Sequence, residues 1–332
     1  MAGLQPFSDE QARALINLEQ RYQVWSDAER ALASLPYDLR RKNVGEYSYL
    51  YEITDRSGNG KPLERWSPEA EARLADYRQS KTEAKDRVDR SKAALDESCA
   101  LCRALRVPML ANAAGPILRE ADKRRLLGSH FLVVGTNAMP AYAVEAGGFI
   151  REAPDETQDF DMAWSATEAP EEPVVLRMLK AVDSTYTMNT ERNFQMRNAD
   201  AYEVEVLIAP SREATFGRLD QPRPVALPEQ EWLLLGHPVD RVVICRDGSP
   251  ARIVAPDPRW FALQKLWMSE QAKRNSLKRP KDLKQGMALL NVVFNAMPQF
   301  PLDDAFEASL PAELVKPYEQ WKRQKPADMH RG

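Results

Sequence analysis

A mixed α/β protein is predicted by three features of the sequence. Short apolar runs of strand length, Phe131–Val134 and Tyr202–Ile208 among them, are bounded by glycine, proline or polar residues. Two long stretches, 8–35 and 67–106, carry apolar residues at helical spacing. A further apolar helix follows Asp257-Pro258. The expected organisation is a helical N-terminal region with a long arm and a small hairpin (1–115), a core with a short sheet (116–215), and a C-terminal hairpin plus helical region (216–332).

Composition narrows the class. A chain of 332 residues, 43% hydrophobic and 29% charged, can bury a sizeable core in about two domains. Its net charge of −3 gives no global attraction to nucleic acid or anionic membrane, so polyanions must be held by local patches. No apolar run approaches the ~20 residues of a membrane span. The opening MAGLQPFSDEQ lacks a signal-peptide pattern, and a cytoplasmic location is expected. Cys99 and Cys102 form a CxxC without a second pair, and Cys245 is distant. They lie in a helical stretch where i and i+3 share a face, so small apolar core residues is the first reading and a metal or redox role the second. His130, His237 and His330 are scattered and show no catalytic spacing.

Taken in order, Ser8-Asp9 caps a helix whose stripe includes Leu15, Leu18 and Tyr22. Tyr47, Tyr49, Tyr51 and Ile53 alternate as in a strand, and Ser57-Gly58-Asn59-Gly60 is a turn, which predicts a hairpin over 45–66. Ser67-Pro68-Glu69 starts the long helix, with capping serine, proline and acid in place. Leu74, Tyr77, Ala84, Val88, Leu95 and Cys102 form a thin seam that Lys81 and Ser91 interrupt. This describes a scaffold arm first, and a partner-binding or oligomerisation surface second. A helix over 111–127 leads into the strand Phe131–Val134, and a helical run covers 137–146. Beyond these, 173–183 reads as helix, 186–198 as a strand pair, 202–208 as a strand and 211–226 as a loop. Pro228 to Leu235 is a short helix ended by Gly236. Val239–Cys245 and Ala251–Ala255 are paired strands joined by Asp247-Gly248. A final helix spans 281–296, followed by a tail.

The chemistry-bearing stretch is Phe131 to Trp164. Asp159-Phe160-Asp161 on a strand puts both carboxylates on one face and the phenyl ring on the other. Like charges that close repel unless a cation neutralises them, which suggests Mg²⁺. By itself this triplet reads first as a solvent-facing strand with two incidental acids. A buried strand ending at Gly135-Thr136 before a helix offers free backbone N–H groups suited to phosphate. Phosphate cradle plus metal ligands is the minimal equipment for nucleotidyl transfer.

The sequence resembles the polymerase-beta-type nucleotidyltransferase superfamily, which joins a Gly-Ser/Thr turn to Asp-x-Asp. More closely it resembles a bacterial family with GTNA…AY, T-x-D-x-D and PDPR-x-FALxKLW segments. Here these are Gly135-Thr136-Asn137-Ala138 with Ala141-Tyr142, Thr157-Gln158-Asp159-Phe160-Asp161, and Pro256-Asp257-Pro258-Arg259 running into Phe261-Ala262-Leu263-Gln264-Lys265-Leu266-Trp267. The likeness spans about Tyr49 to Leu290.

The resemblance implies a polymerase-beta-like core with a short, partly antiparallel sheet. It implies Mg²⁺ or Mn²⁺ held by Asp159, Asp161 and Glu205, which would also be the catalytic acids. Glu205 stands where relatives carry Asp, and Glu203 on the same face is the alternative ligand. Gly135, Thr136, Asn137 and Lys265 would bind the nucleoside triphosphate, ATP being the familiar case. The basic run Lys273–Lys281 would place Lys278, Arg279, Lys281 and Asp282 at the triphosphate or at an acceptor such as RNA. A solvated basic loop, with Asp282 paired to a lysine, competes with that. The run also resembles motifs of abortive-infection-type nucleotidyltransferase toxins, which implies a toxin or phage-defence effector with an antitoxin partner. A homo-oligomer through the arm, and a catalytically inactive binding or regulatory protein working through that arm, are further expectations.

Overall fold

The computed structural model describes residues 3–151, 153, 159–168, 173–216 and 222–324. It opens with β1 (Leu4–Pro6), α1 (Asp9–Ser34), β2 (Asp38–Val44), β3 (Tyr47–Ile53), β4 (Gly60–Arg65) and α2 (Pro68–Ala104). Next come β5 (Met109–Leu110), α3 (Ala114–Lys123), β6 (Phe131–Val134), α4 (Met139–Glu145), β7 (Gly148–Ile150), β8 (Asp159–Trp164) and α5 (Val174–Val182). Four strands follow: β9 (Thr187–Met188), β10 (Gln195–Arg197), β11 (Glu203–Ile208) and β12 (Val225–Ala226). The hairpin β13 (Val239–Cys245) and β14 (Pro250–Ala255) leads to α6 (Pro258–Glu270), α7 (Arg279–Ala296), α8 (Asp304–Ala308) and α9 (Ala312–Gln324). The fold class is α/β, as expected. Among the described residues no helix is long and apolar enough to cross a membrane.

The chain divides into two compact units, Asn17–Ser98 and the remainder. The region expected as 1–115 is therefore shared between them, and the 116–215 and 216–332 regions fall in one unit.

In the unit Asn17–Ser98, β2, β3 and β4 form an antiparallel sheet, so the expected hairpin is a three-stranded sheet. β2 carries little strand signal of its own, since it reads Asp-Leu-Arg-Arg-Lys-Asn-Val, a charged edge strand with Leu39 its one buried residue. The tyrosine alternation is broken by a bulge at Leu50/Tyr51, and Leu50, fully buried, packs with Leu39, Ala70, Leu74 and Tyr77. Ser67 Oγ accepts from the Ala70 N–H at 3.2 Å, capping α2. Lys81 does not interrupt the seam: its ammonium donates to the Pro36 carbonyl at 3.1 Å and to that of Tyr37.

In the other unit, Ser8 and Gln11 form a reciprocal capping box at the start of α1, with bonds of 3.0 and 3.2 Å. The main sheet has the order β6-β8-β11-β10-β9, with β12 beside β11. Only β8·β11 and β11·β12 are parallel in it. β13 lies between β14 and β5, and β1 pairs with β7. The core runs through Phe131, Phe160, Trp164, Val204 and Phe261. The segment after Ala296 is not simply a tail. It forms α8 and α9, and Leu314, Tyr318 and Trp321 join the core, with Trp321 Nε1 donating to Asn291 Oδ1 at 2.7 Å. His330 and the rest of 325–332, like Thr157 and Gln158, lie outside the described residues. Cys99, Cys102 and Cys245 are buried and carry no disulfide. Burial pushes the thiols of Cys102 and Cys245 up to about 11, which suits inert core residues.

Candidate active site

Strand register decides which side chains meet. β8 and β11 run parallel with Asp159 opposite Glu203 and Asp161 opposite Glu205. On β11 the acids Glu203 and Glu205 alternate with fully buried Val204 and Val206. On β8 Phe160 is likewise fully buried between its two partly exposed acids. Four carboxylates therefore share one face of two adjacent strands.

The Gly135 turn is brought to them by the third strand. β6 runs antiparallel to β8 with Val134 paired to Asp161, so the chain leaves β6 at that carboxylate. Gly135 has φ +67°, in the left-handed region, and a Cβ built on it would fall within the Asp161 carboxylate. Both conditions require glycine. Thr136 and Asn137 are buried, in a 3-10 turn over Gly135–Ala138. Asn137 Nδ2 donates to the Asp159 carbonyl at 2.9 Å, fastening the turn to β8. Thr136 Oγ1 accepts from Gln285 Nε2 of α7 at 3.3 Å. These two side chains thus hold the turn in place, while its backbone borders the acids.

Crowding shows in the electrostatics. The Asp161 carboxyl is pushed up to about 7, first by burial and then by the charges of Asp159 and Glu205, with Lys265 and Lys278 opposing. Glu203 and Glu205 share one donor: Gln195 Nε2 gives both a hydrogen bond at 2.9 Å. Gln195 is 1% exposed, sits opposite Glu205 on β10, and accepts from Asn189 Nδ2 at 2.6 Å through its oxygen. Arg197, opposite Glu203, takes that residue's other oxygen. Glu203 is thereby engaged on both oxygens, whereas among the described residues Glu205 is bonded through Oε1 and keeps Oε2 available. This favours Glu205 over Glu203 as the third acid.

Basic residues from α6, α7 and the loop between them face the acids. Lys278 Nζ stands 3.1 Å from Asp159 Oδ2. Lys265 is 6% exposed and donates to Asp282 Oδ1 at 2.9 Å; Arg274 Nε donates to Asp282 Oδ2 at 2.7 Å. Asp282 is therefore a buried counter-ion for two cations. Burial raises its pKa, but Lys265 and Arg274 outweigh that and hold it below the usual carboxylate value. The Lys281 ammonium is held low by burial and by Lys265 and Lys278 nearby. Arg279 bonds the Arg274 carbonyl at 3.2 Å and braces the loop. Gly286 lets α7 approach α6, since a Cβ there would lie 2.8 Å from the Ala262 carbonyl oxygen.

A glycine turn seated on paired strand acids, with lysines opposite, matches the comparison with known families. Residues 112–311 match the model of a family described as nucleotidyltransferase. The chain belongs to this nucleotidyltransferase family. No curated protein matches the sequence. Among solved structures, the crystal structure of an antigenic nucleotidyltransferase-like protein from Paracoccidioides brasiliensis is similar at 12% identity and a TM-score of 0.38, covering 65% of this chain and 91% of that one.

Whether this nucleotidyltransferase's acids fit a divalent ion can be tested on their placement. Among the described residues, no three His, Cys, Asp or Glu side chains converge as a preformed cage. Mg²⁺ does not require one, being held by one or two carboxylates with water and substrate phosphates. Asp159 and Asp161 supply hard oxygen donors from one face of β8, in register with Glu203 and Glu205. The pair fits such an ion, with Glu205 beside it. Of the residues expected at the site, Gly135, Asp159, Asp161, Glu205 and Lys278 come together, and Lys281 lies close by. Thr136, Asn137, Lys265 and Asp282 support them from buried positions. Gln195, Arg274 and Gln285 were not foreseen in these roles; only the cross-strand register and the α6–α7 packing reveal them.

Proposed function

We propose that the protein moves a nucleoside monophosphate from a nucleoside triphosphate to an acceptor hydroxyl, releasing pyrophosphate, in a reaction that needs Mg²⁺ or Mn²⁺. The observation that carries this reading is the seating of the Gly135 turn on Asp161, flanked by Asp159 and Glu205. A divalent ion on Asp159 and Asp161 would neutralise phosphate charge and lower the pKa of the attacking hydroxyl. Glu205, through its available oxygen, accepts the hydroxyl proton. The Gly135 backbone borders the triphosphate and leaves no side chain in its way. Lys278 and Lys281 offset the charge growing on the departing pyrophosphate, and Lys265 adds to the field while bracing Asp282. Exposed Lys273, at the outer part of the basic loop, favours a polyanionic acceptor such as RNA over a small molecule. An effector role acting on tRNA is the biological form that this acceptor class suggests.

The test is incubation of the purified full chain with labelled triphosphates, Mg²⁺ or Mn²⁺, and total RNA or lysate. Wild-type protein should label an acceptor, and the folded Asp159→Asn, Asp161→Asn double variant should not. Equal labelling by both proteins rejects the mechanism.

A further inference from the structure

The carboxylate best placed to take a divalent ion already has a cation on it. Lys278 Nζ lies 3.1 Å from Asp159 Oδ2. It differs from Lys265 and Arg274 in its freedom. Lys265 is 7% exposed in its side chain and Arg274 is 27% exposed, and both are committed to Asp282. The Lys278 side chain is 52% exposed. Its backbone is fixed: the N–H donates to the Asn275 carbonyl at 2.9 Å, and its own carbonyl accepts from the Asp282 N–H at 3.0 Å. An anchored backbone with a four-carbon solvent-facing stem allows the ammonium to swing without moving α7.

We infer that Lys278 is a built-in counter-ion that passes from Asp159 to the triphosphate as substrate binds, so that the site favours metal delivered with nucleotide over free metal. The inference rests on the proposed nucleotidyl-transfer reading. Its logic is one of charge. A free divalent ion on Asp159 and Asp161 takes both acids that act on this ammonium, while Asp282 is already held by Lys265 and Arg274 and Lys281 crowds the same space. The displaced ammonium and the ion repel each other at short range. When the ion arrives with a triphosphate, the phosphate oxygens accept the ammonium, and the repulsion becomes attraction.

The two binding steps should then respond to Lys278 with opposite signs. Mn²⁺ binding to the full chain without nucleotide is read from the electron paramagnetic resonance of free Mn²⁺. Binding of magnesium tripolyphosphate, a probe independent of the base, is read by calorimetry. Lys278→Gln should bind free Mn²⁺ about three- to fivefold more tightly than wild type, as expected when a surface ion pair is removed. The same variant should bind magnesium tripolyphosphate about tenfold more weakly. Lys278→Arg should stay near wild type in both. Unchanged or weaker Mn²⁺ binding by Lys278→Gln overturns the exchange, as does unchanged tripolyphosphate binding. Asp161→Asn separates this from failure of the functional reading: loss of Mn²⁺ binding there leaves the metal site standing, whereas full Mn²⁺ binding removes the site and the exchange together.

Discussion

The Cα of Gly135 packs against the carboxylate of Asp161 with no room between them for a methyl group. The contact exists because β6 and β8 pair Val134 with Asp161, and the next residue turns with positive φ. Gly135→Ala should therefore fail twice. The left-handed conformation costs an alanine about 1–2 kcal/mol, and the methyl displaces Asp161. Urea denaturation should show at least the conformational loss, and transfer should fall further than the loss of folded protein explains. An alanine variant with wild-type rate would show that the contact is structural only.

Gln195 is the shared donor of Glu203 and Glu205. Gln195→Leu should leave Glu203 to Arg197 alone and Glu205 free to turn. The expected loss is about 10- to 100-fold in kcat, the range for partners that orient metal-site carboxylates, with KM for the triphosphate little changed. A change in KM alone would place Gln195 outside this role.

Asp161 gives a pH signature with a definite sign. Its native pKa of about 7 lies above the ordinary 3.8, so the native state keeps a proton that the unfolded chain has lost between these values. The stability tied to this proton is complete below 3.8 and is lost as pH rises through about 7. Without divalent metal, Asp161→Asn should be the more stable protein at pH 8, by on the order of 2–4 kcal/mol, and the advantage should shrink toward pH 4. Denaturant titrations in chelator across that range decide it. A constant gap between the two proteins would contradict the electrostatic account.

Asp282 has the opposite sign. Its lowered pKa means that its contribution is present above 3.8 and is lost as pH falls through its native pKa. Asp282→Ala leaves buried Lys265 without a counter-ion and should cost about 3–5 kcal/mol at neutral pH. A loss below about 1 kcal/mol would mean that water already solvates that ammonium.

Much of the frame was legible in the sequence because its signals are local. Period-two alternation put Asp159 and Asp161 on one face, and Ser67-Pro68-Glu69 and Asp257-Pro258 marked their helices. What escaped depends on register or burial. That Gly135 touches Asp161 follows from a strand pairing that no single segment encodes. Gln195 looked like an ordinary polar residue until β10 paired it with Glu205. Lys265 and Lys278 are chemically alike in the sequence; packing of α6 on α7 buries the first and leaves the second at Asp159. At the C-terminus, Pro317 inside α9 and a proline on either side of α8 hid two helices that tertiary packing nevertheless forms.

The most direct measurement follows the label. The full chain is incubated with Mg²⁺, total RNA and the same triphosphate labelled at the α- or the γ-phosphate. The account predicts stable acceptor labelling from the α-position only, with γ-label recovered as pyrophosphate. Label passing to the acceptor from the γ-position, or inorganic phosphate as the released product, would contradict it.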